Sequence, residues 1–141
     1  MSSNDRVNNF WLIWHDLNAA YEDYARRSGL TCTQTYVIEM LARVPDCTQK
    51  NICECTSLPK QNVNALIKKF VEDGIVELAP NEADRRNKTI HLTEKGEQLH
   101  QLVIPHIREA EIEAMQSLSE EEQNTMLRTL ETYVSSLKEN L

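Results

Sequence analysis

Apolar residues recur at spacings of three and four between Asp5 and Arg27, where Phe10, Trp11, Trp14, Leu17, Ala20, Tyr21 and Tyr24 form one stripe. That period predicts an amphipathic helix with an aromatic-rich face. Ser28-Gly29 stops it, with Gly29 suited to the C′ position and Arg26 and Arg27 favourable at the negative helix end. The pattern resumes in Tyr36, Val37, Met40 and Leu41 and ends before Pro45-Asp46. Thr31 and Gln34 precede it at capping-box spacing. A short third helix opens at Thr48, runs to about Cys55 and turns Ile52 and Cys53 inward. Pro59 starts a fourth helix, where a missing N–H is harmless. Val63, Leu66, Ile67 and Phe70 form its buried stripe, and Gly74 ends it.

The period then changes. Ile75 to Leu78 and Thr89 to Thr93 read as two short strands joined by a polar loop, Pro80 to Lys88. Thr93 caps a long helix marked by Leu99, Leu102, Val103 and Ile107, with a kink expected at Pro105. Ser119 and Glu122 form a further capping box ahead of Met126, Leu127, Leu130, Tyr133, Val134 and Leu137. The predicted fold is mainly α with a small β wing. It is a winged helix-turn-helix over about 31–93, flanked by helices over about 5–28 and 94–140, in one domain spanning 1–141. Both terminal helices carry more apolar surface than one small core needs, which predicts pairing with a second copy.

Composition adds one apparent contradiction. The net charge is -7, which argues against a polyanionic partner. The charge is unevenly placed, however. Lys60 to Lys69 holds three lysines and no acid, and Arg85 to Lys88 holds three cations in four residues. Salt screens fields over about 8–10 Å, so a basic face can act locally on a globally acidic protein. Gln61, Asn62 and Asn64 carry amides of the kind that pair bidentately with adenine in the major groove. Lys60, Lys68 and Lys69 suit phosphate, as do Arg85 and Lys88. Helices with wet-face amides followed by a basic β-loop are what a winged helix-turn-helix needs to hold double-stranded DNA.

The order of elements and the wing sequence together resemble the MarR family of bacterial transcriptional regulators. Leu30-Thr31 with Gln34, Thr48-Gln49, Lys60 to Val63 and Glu72-Asp73-Gly74-Ile75-Val76 carry the resemblance. So do Asp84-Arg85-Arg86-Asn87-Lys88 and Leu92-Thr93-Glu94-Lys95-Gly96. What it implies is a homodimer held by the first and the last two helices. Each recognition helix would enter a major groove of a pseudo-palindromic operator, with each wing in the flanking minor groove. It also implies that Arg86 is the wing-tip arginine and that Asp84 orients it. A planar guanidinium suits a narrow, negative minor groove. The family's small phenolic effectors make Trp11, Trp14, His15, Tyr36 and Met40 candidates for a pocket that takes an aromatic compound.

Other chemistry is less well supported. Of the four cysteines, Cys53 and Cys55 are spaced so that a helix points them apart, which does not suit a metal. Cys32, in a helix first turn, is expected to have a lowered thiol pKa; Cys32 and Cys47 are therefore the redox candidates. No two histidines are spaced i,i+4, and there is no G-x-S-x-G or glycine-rich loop. An enzyme, a metal and a cofactor are not expected. The polar N-terminus and the lack of a long apolar run point to a cytoplasmic protein, bacterial or archaeal, with no membrane partner. The expected function is a sequence-specific DNA-binding regulator, by the family resemblance a repressor, released by a small-molecule or redox effector. The alternative is a winged-helix module used for protein–protein contact alone.

Overall fold

The computed structural model describes residues 1–141. Six helices and two strands follow in the order α1 Ser3–Arg27, α2 Cys32–Arg43, α3 Gln49–Thr56, α4 Lys60–Glu72, β1 Val76–Ala79, β2 Thr89–Leu92, α5 Glu94–Gln116 and α6 Glu120–Asn140. Two compact units result, residues 1–104 and 105–141, and the boundary falls inside α5 at Pro105.

Local sequence sets the helix starts. Ser2 with Asp5, Thr31 with Gln34, Thr48 with Asn51 and Ser119 with Glu122 each form a complete capping box. Each box satisfies two N–H groups that a helix start leaves unpaired. The first of these begins α1 earlier than the aromatic stripe alone suggests. At its far end Gly29 takes φ +75°, and Leu30 N–H donates to Ala25 O at 2.9 Å.

The core of the first unit lies among α2, α3, α4 and the strands. Val37, Ile38, Ile52, Val63, Ile67, Phe70 and Ile90 are almost fully enclosed. Cys47 is buried with them, and Cys53 packs against the cluster from its edge. By contrast α1 buries only Ala25. Its Tyr24 hydroxyl donates to Val103 O at 3.1 Å. Trp11, Leu12, Ile13 and Trp14 are exposed by half or more. In the second unit, Gln123 Nε2 donates to Met115 O and Leu118 O at 2.9 and 3.0 Å, closing the turn into α6. That helix buries nothing, and Leu127, Leu130, Tyr133, Val134 and Leu137 remain exposed.

The strands pair antiparallel, Val76 opposite Leu92 and Ala79 opposite Thr89. Against the sequence pattern β1 is shifted by one residue, losing Ile75 and gaining Ala79, and β2 is one residue shorter, losing Thr93; both lost residues are used elsewhere. Ile75 N–H donates to Phe70 O at 2.8 Å in the close of α4. Thr93 N–H donates to Ile75 O at 3.0 Å, and Thr93 Oγ1 donates to Gly74 O at 2.5 Å while accepting from Gly96 N–H at 3.1 Å. Thr93 is thus a junction between the end of α4 and the start of α5. Gly96 makes that approach possible, because a Cβ there would sit 2.1 Å from Ile75 O. This explains in physical terms why a Leu-Thr-x-x-Gly run follows the wing.

Gly96→Ala must push the α5 start off Ile75, at a cost of about 3 kcal/mol for overpacking against backbone. Gly29→Ala meets no atom within 4 Å and carries only its left-handed backbone, a cost of about 1 kcal/mol. Urea unfolding should show the larger loss at Gly96; equal midpoints for the two variants would contradict this account of the junction.

Candidate nucleic-acid interface

The site is built on three elements: the start of α3, the outer face of α4 and the loop between the strands. The strand ladder continues past β2. Ile90 N–H donates to Cys47 O at 2.8 Å, and Thr48 forms a bridge with Thr89. The capped start of α3 is thereby tied to the base of the wing.

On α4, Lys60, Gln61, Asn62, Asn64 and Lys68 are all exposed, while Val63, Ile67 and Phe70 anchor the opposite side in the core. The helix presents its amides to solvent on a rigid base. Lys69 is exposed too, but its Nζ lies 3.1 Å from Asp73 one turn on. That leaves Lys60 and Lys68 as the cations of this face with no acidic partner.

In the wing, Arg85, Arg86 and Lys88 are exposed. Asp84 acts on Arg86 through the backbone. Its Oδ1 accepts from the Arg86 N–H at 3.0 Å and its Oδ2 accepts from Asn87 Nδ2 at 2.8 Å. The residue therefore folds the turn that carries Arg86, and the guanidinium stays free of its carboxylate. The Arg86 N–H and then the Asn87 amide hold the Asp84 carboxyl below its usual pKa, with the charge of Lys50 adding to them. A lowered folded pKa means the tie is complete above the ordinary carboxylate value and is lost only as pH falls through the lowered one.

The three elements meet at an open cleft of about 510 Å³ lined by Gln49, Lys50, Cys53, Lys60, Leu78, Arg86, Asn87, Lys88 and Ile90. Gln49 and Lys50 are members that sequence reasoning passed over. The signal was available, since the residues just after a helix N-cap project outward beside the next helix. Gln49 Nε2 donates to Asn64 Oδ1 at 3.4 Å.

The remaining candidates are placed differently. Met40 is buried in the core, whereas Trp11, Trp14 and Tyr36 are about half exposed and a single chain does not enclose them. The Trp11 and His15 rings lie with centroids 3.9 Å apart and planes tilted by 56°. The expected lowering of the Cys32 thiol is reversed. Burial pushes it up and Glu22 adds to the rise, with the Thr35 hydrogen bond opposing. The Glu22 carboxylate accepts the Cys32 N–H at 3.2 Å, so an acid stands where the helix end would have favoured a thiolate. Burial, with a smaller contribution from Cys55, pushes Cys47 up to about 11.

The family model of the MarR family matches residues 28–87. That match spans α2 to the wing, the winged-helix segment of this chain. The HTH-type transcriptional regulator BilQ of Clostridium symbiosum (strain WAL-14163) is 23% identical over 106 residues, 75% of this chain and 74% of that protein. Among solved structures, Streptococcus pneumoniae FabT in complex with DNA superposes with a TM-score of 0.83 at 22% identity, covering 99% of this chain and 100% of FabT. The S. aureus MepR–DNA complex gives 0.79 at 23% identity, covering 92% and 96%. At these identities the structural likeness speaks for the MarR fold. No helix of this chain is long and apolar enough to cross a membrane.

The thiols order themselves by burial. In the native protein at pH 8, Cys55, which is exposed, should react first with a thiol reagent, and Cys47 only on unfolding. The rise to about 11 alone leaves Cys47 with roughly a hundredfold less thiolate than an ordinary cysteine. Labelling followed by peptide mapping checks this; early modification of Cys47 would contradict it.

Proposed function

We propose that the chain is a sequence-specific, DNA-binding transcriptional regulator of the MarR type that acts as a homodimer, most simply as a repressor. The observation that carries the reading is the exposed outer side of α4, with Gln61, Asn64 and Lys68, beside a cleft that brings Lys60 to Arg86 and Lys88, held on a core-anchored helix and a tied sheet. Phosphate contacts from the lysines supply affinity and register, and amides at base edges supply sequence. Arg86 would enter the minor groove beside the recognition helix. The likeness to FabT and MepR, each solved with DNA, supports DNA as the partner.

The exposed apolar residues of α1 and of α6 support the dimer, because each helix sets several large apolar side chains in water. Two copies would read two half-sites about one helical turn apart. For release, the raised thiols of Cys32 and Cys47 weigh against oxidation at either residue. A small aromatic compound near Trp11, Trp14, His15 and Tyr36 is the effector we favour, with the dimer closing the pocket.

Two substitutions separate the contacts. Arg86→Ala should cost about tenfold in affinity, mostly on sites with A·T-rich flanks. Lys68→Ala should weaken all duplexes alike and reduce the slope of log K against log salt by about 1. Fluorescence anisotropy across a salt series measures both. Unchanged affinity and flank preference in Arg86→Ala would remove the wing from the interface, and failure of the wild-type protein to prefer any duplex would favour a protein-contact module.

A further inference from the structure

We propose that Gln49, outside the recognition helix, is a positioning residue that sets base preference through Asn64; this rests on the DNA-binding reading above. Asn64 is exposed, three residues beyond Gln61 on the outer face of α4, and its backbone is fixed by the buried neighbours Val63 and Ile67. Its side chain is another matter. A solvent-exposed asparagine samples several rotamers and both faces of its amide, and each orientation presents a different hydrogen-bonding edge to a base pair. The Gln49 Nε2–Asn64 Oδ1 hydrogen bond selects among them.

Gln49 can do this because its own position is fixed. It is the first residue of α3, directly after the N-cap Thr48, whose capping box with Asn51 is complete. Thr48 is bridged to Thr89, and the preceding Cys47 carbonyl accepts from Ile90 N–H. The Gln49 backbone is therefore an extension of the wing sheet rather than a loose helix end. It also lines the cleft shared with Lys60 and Arg86, so its amide lies at the interface itself.

The hydrogen-bond inventory then defines what the pair can read. With one lone pair of Oδ1 taken by Gln49, Asn64 keeps a second lone pair and both N–H groups. That set accepts from adenine N6 and donates to adenine N7. Gln49 keeps one N–H and its carbonyl oxygen, enough for a phosphate or for the neighbouring base. The coupled pair thus favours adenine at the Asn64 position more strongly than a freely rotating asparagine does.

The test uses the full-length protein and a randomised duplex pool enriched by the wild type. Gln49→Met keeps side-chain length and helix propensity while deleting the donor, and Gln49→Ala is the second variant. Both are compared with Asn64→Ala and with the double variants, after thermal unfolding confirms that each folds. Loss of one such hydrogen bond should relax discrimination by about two- to tenfold. The relaxation should fall at the base pair where Asn64→Ala acts, and the double variant should discriminate no worse than Asn64→Ala alone. Equal weakening on every sequence would make Gln49 a phosphate contact and overturn the proposal. Additive effects at different base pairs would overturn it too. A wild type that enriches no sequence would overturn the DNA-binding reading, whereas a discriminating wild type with unaltered Gln49 variants would overturn the positioning role alone.

Discussion

The site depends on the junction between Cys47-Thr48 and Thr89-Ile90. One backbone hydrogen bond of 2.8 Å and one bridge extend the two-stranded ladder onto the chain that leads into α3. Without that junction, α3 and the wing would be joined only through the core beneath them. With it, the first turn of α3, the outer face of α4 and the wing cations share one frame. The cleft among them exists because a buried segment, not a loop tip, sets the spacing.

A second junction works at the other end of the strands. Thr93 gathers the carbonyls of Gly74 and Ile75, and Gly96 lets α5 lie against them. Lys95 Nζ adds a hydrogen bond to Asp73 O at 2.6 Å. The end of α4 and the start of α5 are therefore tied together by hydrogen bonds. Any shift of α5 in this region is felt at α4, which is the mechanical property a regulator of this design requires. Pro105 lies further along α5, where the two compact units divide.

Most of the elements were legible in the sequence because their signals are local. Capping boxes at Thr31, Thr48 and Ser119 announce helix starts within four residues, and the apolar stripe of α4 separates core from wet face without tertiary information. What was not legible depends on groups distant in sequence. The strands give up Ile75, whose N–H closes α4 on the Phe70 carbonyl, and Thr93, whose hydroxyl takes up the Gly96 N–H at the start of α5. The Cys32 thiol rises because Glu22, ten residues earlier, reaches the start of α2. Lys69, expected at phosphate, also pairs with Asp73 one turn on, which only the placed helix shows. Asp84 was expected to orient Arg86, and its contact is with the Arg86 backbone N–H, a detail that only the turn geometry reveals. A net charge of -7 conceals the basic face, since the count says nothing of where the charges lie.

The account's central claim is that α3, α4 and the wing form one DNA-reading surface. Amide-resolved NMR of the full-length protein, titrated with a duplex selected from a random pool, tests it most directly. The account predicts the largest shifts at Gln49–Lys50, at Lys60–Lys68 and at Asp84–Lys88. Saturable shifts confined to α1 or α6, with the α4 and wing amides unmoved, would contradict it.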